Sequence, residues 1–318
     1  MATQTRERGA QAQAGGNSSR RCSHEQVRVW SPPETPGLHL MRASFKTQTF
    51  ARHSHEGYGV GVIEQGALGF SYRGAGLVAG SGSINTVNPD EAHTGHAASE
   101  HGWTYRMFYF TPAFLERVAE DVAGRRAPLP FFTSGVIHDP GLAGLLLRAH
   151  ALFDVSAGGT ADETEGGAAE AAPDARLARD TLLLTAFAQL LGRHTYERLP
   201  LQRAGQEHAA VARVKEHLRS RFEADANLPN LCLSDLANVA CLSPYHFIRV
   251  FSRHTGLTPH AWLMQLRARK ARELLRQGAA IADAAAQAGF ADQSHLTKAF
   301  KRLLGYTPGH FRNSVQGA

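Results

Sequence analysis

Two stretches of the chain carry side chains suited to reading the edges of base pairs. Tyr245, His246, Ile248 and Arg249 lie in SPYHFIRVFSRHTG, and Gln293, Ser294, His295, Thr297 and Lys298 lie in DQSHLTKAFKRLLG. In a major groove, Gln pairs with adenine and Arg or Lys with guanine; Ser, Thr and His supplement them, and apolar groups meet the thymine methyl. The residues flanking these sets, Ser243, Arg253, Lys301 and Arg302, suit phosphate oxygens at a helix N-terminus and along its basic side. A second group, His53, His55 and His93 with Tyr58, Trp103 and Tyr105, could line a pocket for a small molecule or simply pack within a barrel.

Base-reading side chains need a helix presented end-on to a groove, and the sequence supplies it twice. Residues 233–259 repeat as residues 281–308: Leu233, Asp235, Ala237 and Ala240 fall on Ile281, Asp283, Ala285 and Ala288. After the turn, Phe251, Arg253, Gly256, Thr258 and Pro259 fall on Phe300, Arg302, Gly305, Thr307 and Pro308. The second copy has one extra residue, placed at the turn, where insertion costs least. Each copy reads as helix, tight turn, helix. Ser234 is expected to cap the first short helix, which buries Leu236 and Val239. Ser243-Pro244 and Asp292 start the second helices, and Gly256 and Gly305 stop them. Phe247, Val250 and Phe251, and Leu296, Ala299 and Phe300, then face inward, leaving the base-reading sets wholly or partly outside. The turn holds Cys241 in the first copy and Gly289 in the second, so a positive φ there would strain the cysteine.

Charge singles out the same region. The 318-residue chain has 34 Lys+Arg against 28 Asp+Glu; residues 209–318 hold 15 of the former and only 7 of the latter. The net positive charge therefore belongs to the C-terminal third, as in a nucleic-acid-binding half joined to a half with another task. A composition 43% hydrophobic and 19% charged is that of a globular chain. Cys22, Cys232 and Cys241 form no metal-ligand spacing and no disulfide framework. With no apolar signal segment at the start, the expected location is cytoplasmic.

The remaining segments follow from periodicity. Residues 1–23 are read as a disordered tail. From Val27 to Tyr109, short apolar runs (57–66, 67–76, 81–89 and 102–110) alternate with turns, indicating an antiparallel sandwich or small barrel over 24–138. Thr111-Pro112 begins a helix. Two longer helices over 141–155 and 174–198 flank an acidic Gly/Ala-rich flexible loop at 156–173. Leu177, Leu184, Phe187, Leu190 and Leu191 give the second a stripe that packs on its own domain or forms a dimer seam. The segment 139–199 is accordingly read as a helical dimerisation segment, followed by a linker over 199–208.

Residues 209–318 resemble the DNA-binding domain of the AraC/XylS family of bacterial transcription regulators. The resemblance rests on LSPYHFIRVFSRHTGLTPHAWL, the basic LRARKARELL and IADAAAQAGFADQSHLTKAFKRLLGYTPGHFR. It implies two helix-turn-helix motifs joined by one long helix over about 259–276, with base-reading roles at Tyr245, Ile248 and Arg249 and at the second set. HSHEGYGVGVIEQGALGFSYRG and GSINTVNPDEAHTGHA (53–97) resemble the cupin-like sensing domain of such regulators. His53-x-His55 with His93 is similar to the three-histidine metal site of cupin enzymes. The carboxylate expected three or four residues past that motif is absent, Gly59 and Val60 standing there.

The expectation is thus an α+β chain: a cupin-like β-barrel or sandwich, then an all-α domain of two helix-turn-helix motifs. It would be a regulator, an activator rather than an enzyme, binding double-stranded DNA and a small-molecule effector, with RNA polymerase and a second copy as further partners. No metal or cofactor is expected. A cupin metalloenzyme with a DNA-binding tail, and an architectural DNA-binding protein without effector, are the rival readings.

Overall fold

The computed structural model describes residues 25–156, 175–201, 205, 207–226, 228 and 231–316. The expected tail at 1–23 and nearly all of the 156–173 loop lie outside the described residues. The described residues of the N-terminal half form nine strands: β1 (Gln26–Trp30), β2 (Leu38–Phe45), β3 (Thr49–His53), β4 (Tyr58–Tyr72), β5 (Ala75–Gly80), β6 (Ile84–Val87), β7 (His93–Ala97), β8 (Trp103–Phe110) and β9 (Val136–Ile137). Every pairing among them is antiparallel.

Two of the expected strands, 57–66 and 67–76, are one. β4 runs fifteen residues and belongs to both layers. Its first part pairs β8 and β6, in the order β1-β2-β8-β4-β6-β9, and its second part pairs β5 and β7. The change of layer follows a register shift between Ile63 and Gln65 and a left-handed Gly66 (φ 72°). A Cβ at Gly66 would lie 1.9 Å from the Gly102 carbonyl oxygen, so glycine marks a close approach there and not a strand end. The hairpin from β4 to β5 turns on Arg73 and Gly74, both with positive φ, as a twist-matched two-residue turn requires.

β8 shows how alternation divides the barrel wall. Phe108 and Phe110 face outward onto the helices, in a core with Leu38, Leu40, Val60 and Val62. Tyr105 and Met107 face inward with Phe45, Leu68 and Phe70. The outward face is covered by α1 (Pro112–Ala123), α2 (Pro140–Ser156) and α3 (Ala175–His194). Thr111 caps α1, as its Thr-Pro start implies. Arg106 ties α2 to the sheet, donating to Asp154 Oδ2 at 3.0 Å and to Glu64 Oε1 at 2.9 Å. His150, fully buried beside it, has its pKa pushed down to about 3, by burial first and then by the Arg106 charge.

The stripe on α3 is spent within the chain. Phe187, Leu190 and Leu191 are buried in the core beneath the sheet, while Leu177 is buried in the core of the C-terminal helices. It presents no free seam for a second copy.

The C-terminal part is all helical: α4 (His208–Ala224), α5 (Leu233–Ala240), α6 (Pro244–Thr255), α7 (Pro259–Arg276), α8 (Ile281–Gln287), α9 (Gln293–Leu304) and α10 (Pro308–Gln316). The two repeats are the pairs α5–α6 and α8–α9, with α7 between them. Ser243 and Asp292 accept from the backbone N–H of His246 and His295, and Gly256 and Gly305 close α6 and α9 in left-handed conformation. One cap differs from expectation: α5 begins at Leu233 with Cys232 as its N-cap. Ser234 lies inside the first turn, its Oγ 2.9 Å from Cys232 Sγ. Asp235, which bonds the Cys232 N–H at 3.4 Å, supplies the signal a serine-centred reading passes over. Cys232 and Cys241 are both free.

Candidate functional site

The histidine cluster is assembled by strand register. β3 and β7 pair so that His53 stands opposite His93, and His55 follows two residues on. The ring centroids of His53 and His93 are 4.4 Å apart, and one nitrogen from each of the three rings lies within 4.8 Å of the others. His53 Nδ1 lies 2.8 Å from the Ala51 carbonyl, and His93 Nδ1 3.0 Å from that of Glu91. A carbonyl only accepts, so each Nδ1 donates, and in a neutral ring Nε2 is left with its lone pair. Burial holds His55 down to about 4, helped by repulsion from protonated His93 and His53; burial likewise lowers His93.

These rings border a cavity of about 370 Å³ inside the barrel, a size typical of small-molecule sites. His53, His55, His93 and Tyr105 line it, together with Tyr109, Met107 and Asn85 from the inner faces of β8 and β6. Two residues read as pocket lining are elsewhere. Tyr58 is buried on the outward side of the sheet, its hydroxyl donating to the Pro130 carbonyl at 2.7 Å. Trp103 is 1% exposed, packed behind the cavity against Phe45 and Tyr105. For Tyr58 this follows from the pleat, since an aromatic type does not say which face its position takes; Trp103 shares the inward side with Tyr105 but stands at the start of β8, outside the cavity lining. Met107 and Tyr109 were within reach of the same alternation, two and four residues past Tyr105; Asn85, inside an apolar run, gave no such signal.

The two recognition helices are presented differently. On α9, Gln293, Ser294 and Lys298 are exposed and His295 and Thr297 half-buried, with Lys301 and Arg302 exposed along the same helix. On α6, Arg253 and Ser243 are exposed and Arg249 is half-buried, but Tyr245, His246 and Ile248 are 4%, 6% and 6% exposed. The expectation that these three lie outward is therefore corrected: the N-terminal half covers Tyr245, the linker meets His246, and Ile248 belongs to the core of the C-terminal helices. Tyr245 packs with Val122 and Ala188, from α1 and α3. Ile248 joins the core beneath α4 and α5. His246 Nε2 meets Glu207 Oε1 of the linker at 2.9 Å. Asp121, near the end of α1, accepts from the Tyr245 backbone N–H at 3.1 Å. Burial raises the Asp121 pKa, opposed by its bonds to Ser243 and Tyr245. An aspartate thus occupies the anion-binding start of the first recognition helix. A repeat alignment cannot show this contact, which joins residues 124 positions apart.

A further residue hidden from the sequence is Arg267, fully buried in α7. It reaches the Ala226 carbonyl at 3.4 Å, and Gly289 (φ 76°) sits against both: a Cβ there would lie 2.2 Å from that carbonyl oxygen and 3.0 Å from Arg267 Nε. The equivalent turn of the first copy holds Cys241 at φ 57°.

Family models match both halves of the chain: an AraC-like ligand binding domain over residues 35–187 and a helix-turn-helix domain over 236–314. An uncharacterized HTH-type transcriptional regulator, YbfI of Bacillus subtilis (strain 168), is 28% identical over 263 residues, spanning 82% of this chain and 87% of that protein. The HTH-type transcriptional activator RhaS of Escherichia coli O9:H4 is 39% identical over 115 residues, 36% of this chain and 38% of RhaS. Among solved structures, an apo ToxT variant from Vibrio cholerae aligns over 91% of this chain and 96% of its own at 12% identity, with a TM-score of 0.33. No described helix is long and apolar enough to cross a membrane. With a cupin-like ligand-binding domain ahead of paired helix-turn-helix motifs, the chain belongs to the AraC family of transcription regulators.

Proposed function

We propose that the barrel cavity is the effector site, that α6 and α9 read two boxes of one DNA half-site, and that contact between the halves couples the two events. The observation that carries this reading is the burial of Tyr245 under α1 and α3 and of His246 against the linker, while the α9 set stays open. A chain in this arrangement offers DNA one reader out of two. β8 leads from the cavity wall directly into Thr111 and α1, at whose far end Asp121 holds α6. An effector that binds the released arrangement more tightly shifts the population towards it.

In this proposal residues 24–138 sense, 139–199 support the sensor and its contact with α6, and 209–318 bind DNA. Base reading falls to Tyr245, His246, Ile248 and Arg249 and to Gln293, Ser294, His295, Thr297 and Lys298. Phosphate contact falls to Ser243, Arg253, Lys301 and Arg302. The eighteen residues of α7 span about 27 Å, compatible with readers entering grooves about 34 Å apart. Activation, contact with RNA polymerase and homodimerisation belong to the same proposal, on the family resemblance. A dimer would use a face other than the α3 stripe. No catalytic step is assigned.

The test is a reporter gene placed behind a duplex that the full chain selects from a random pool. Expression should rise with the intact chain and fall to background with Arg249→Ala combined with Lys298→Ala. Unchanged expression with the double variant would sink the reading.

A further inference from the structure

We propose that the cavity takes an uncharged, ring-bearing molecule of up to roughly twenty non-hydrogen atoms that carries a hydroxyl or N–H donor, of the phenol or indole class. This deepens the assignment of the cavity as effector site and rests on it.

Size sets the first limit. A cavity of about 370 Å³, filled at interior packing density of ~0.74, holds at most roughly twenty non-hydrogen atoms. Shape and surface set the second. The walls are overwhelmingly carbon: Phe45, Phe50 and Phe70 close three sides, and Met41 and Met107 adapt to a flat ring. Charge sets the third. Among the described residues, no Lys, Arg, Asp or Glu lines the cavity. A carboxylate, phosphate or ammonium would enter without a fixed counter-charge, at a large desolvation cost. A sugar would leave most of its hydroxyls facing carbon.

The polar groups of the lining include the hydroxyls of Tyr105, Tyr109 and Thr94 and the Gln48 amide, and one buried acceptor of the lining has no partner among the described residues. Asn85 is 4% exposed and its Oδ1 is buried with no hydrogen-bond partner. Its Nδ2 is turned to Met107 Sδ at 3.7 Å. Gly61 makes room for this pair: a Cβ there would lie 2.0 Å from the sulfur and 2.6 Å from Oδ1. On another part of the wall, the carbonyls of Ala51 and Glu91 accept from Nδ1 of His53 and His93, which in a neutral ring leaves the Nε2 lone pair for a donor. A buried acceptor without a partner costs free energy that a donor on the ligand recovers. The unpartnered Asn85 oxygen therefore favours a ring that brings its own O–H or N–H.

Isothermal titration of the full chain distinguishes the classes with four probes: 2-naphthol, 2-methoxynaphthalene (no donor), 2-naphthoate (charged) and Zn²⁺. We expect 2-naphthol to bind at least about tenfold more tightly than its methyl ether or the carboxylate. Asn85→Leu should reduce the preference for naphthol over the ether to about twofold or less, leaving ether binding unchanged. The wild-type ranking stands as the test should that variant fail to fold. A carboxylate bound as tightly as the naphthol, an ether bound equally well, or no binding of any ring compound overturns the proposal. So does stoichiometric Zn²⁺ lost on His53→Ala, because the metal would consume the lone pairs the donor needs. If none of the rings binds but some other small molecule changes DNA affinity, the chemical class falls and the effector assignment stands. If naphthol binds but no small molecule changes DNA affinity, the reverse holds.

Discussion

Asp121 accepts a hydrogen bond from the backbone N–H of Tyr245 at 3.1 Å, placing a carboxylate of the sensing half on the first turn of a recognition helix. Free N–H groups at a helix start attract anions, and a DNA phosphate would compete for this position. The intact chain should therefore bind DNA less tightly than its two readers allow. Asp121→Ala, which removes the competing carboxylate, should raise affinity for a selected duplex about tenfold without effector, since charge-assisted hydrogen bonds contribute about 1.5–3 kcal/mol. Fluorescence anisotropy checks this, and unchanged or weaker binding counts against the contact as a restraint.

The exposed and covered readers should respond differently to substitution. Lys298→Ala on α9 should relax sequence preference in one box whatever the state of the sensing half. Arg253→Ala, on the exposed basic side of α6, should weaken all sequences alike and lower the salt slope by about one. Binding measured against salt, on matched and shuffled duplexes, separates the two effects. If Arg253→Ala altered sequence preference and left the salt slope unchanged, the assignment to phosphate would be wrong.

His150 gives the fold a pH dependence with a definite sign. Its folded pKa, about 3, is depressed below the ordinary 6.5, by burial and then by Arg106. Between those values the unfolded chain binds the extra proton, so stability rises with pH and is lost as pH falls from about 6.5 towards 3. The slope from this one buried group is about 1.4 kcal/mol per pH unit. Urea melts between pH 7 and pH 5 should show the loss, and His150→Gln should flatten it. An unaltered slope in that variant would place the titration elsewhere.

The two turns of the repeat invite opposite substitutions. Cys241 has φ 57° in the turn between α5 and α6, where a side chain is strained, so Cys241→Gly should stabilise the chain by about 1 kcal/mol. Gly289→Ala should destabilise it by several times that, because its Cβ meets the Ala226 carbonyl at 2.2 Å. Thermal unfolding of both variants gives the signs directly. A destabilising Cys241→Gly would mean that the thiol makes a contribution larger than the strain.

The C-terminal helices were legible because their information is local: caps at Ser243 and Asp292, stops at Gly256 and Gly305, and inward residues at helical spacing. Exposure was not legible, because what covers Tyr245 comes from α1 and α3, far away in sequence. In the barrel, alternation marked strands but not their joining, so β4 read as two until Gly66 was seen as a close approach within one strand. Aromatic type alone does not place Tyr58, whose side of the pleat faces the helices, or Trp103, which faces inward at the strand start but outside the cavity lining. His53, His55 and His93 reach it because the β3–β7 register sets them together.

The central claim is that this chain reads DNA with two unlike helices set apart by α7. Hydroxyl-radical footprinting of the full chain carrying Asp121→Ala, which releases the covered reader, on a duplex selected from a random pool tests it most directly. Two protected boxes per subunit, about one helical turn (~10 bp) apart on one face, are expected. Lys298→Ala should erase only one of them and Arg249→Ala only the other. A single box, or two boxes that both vanish with either variant, would contradict the account.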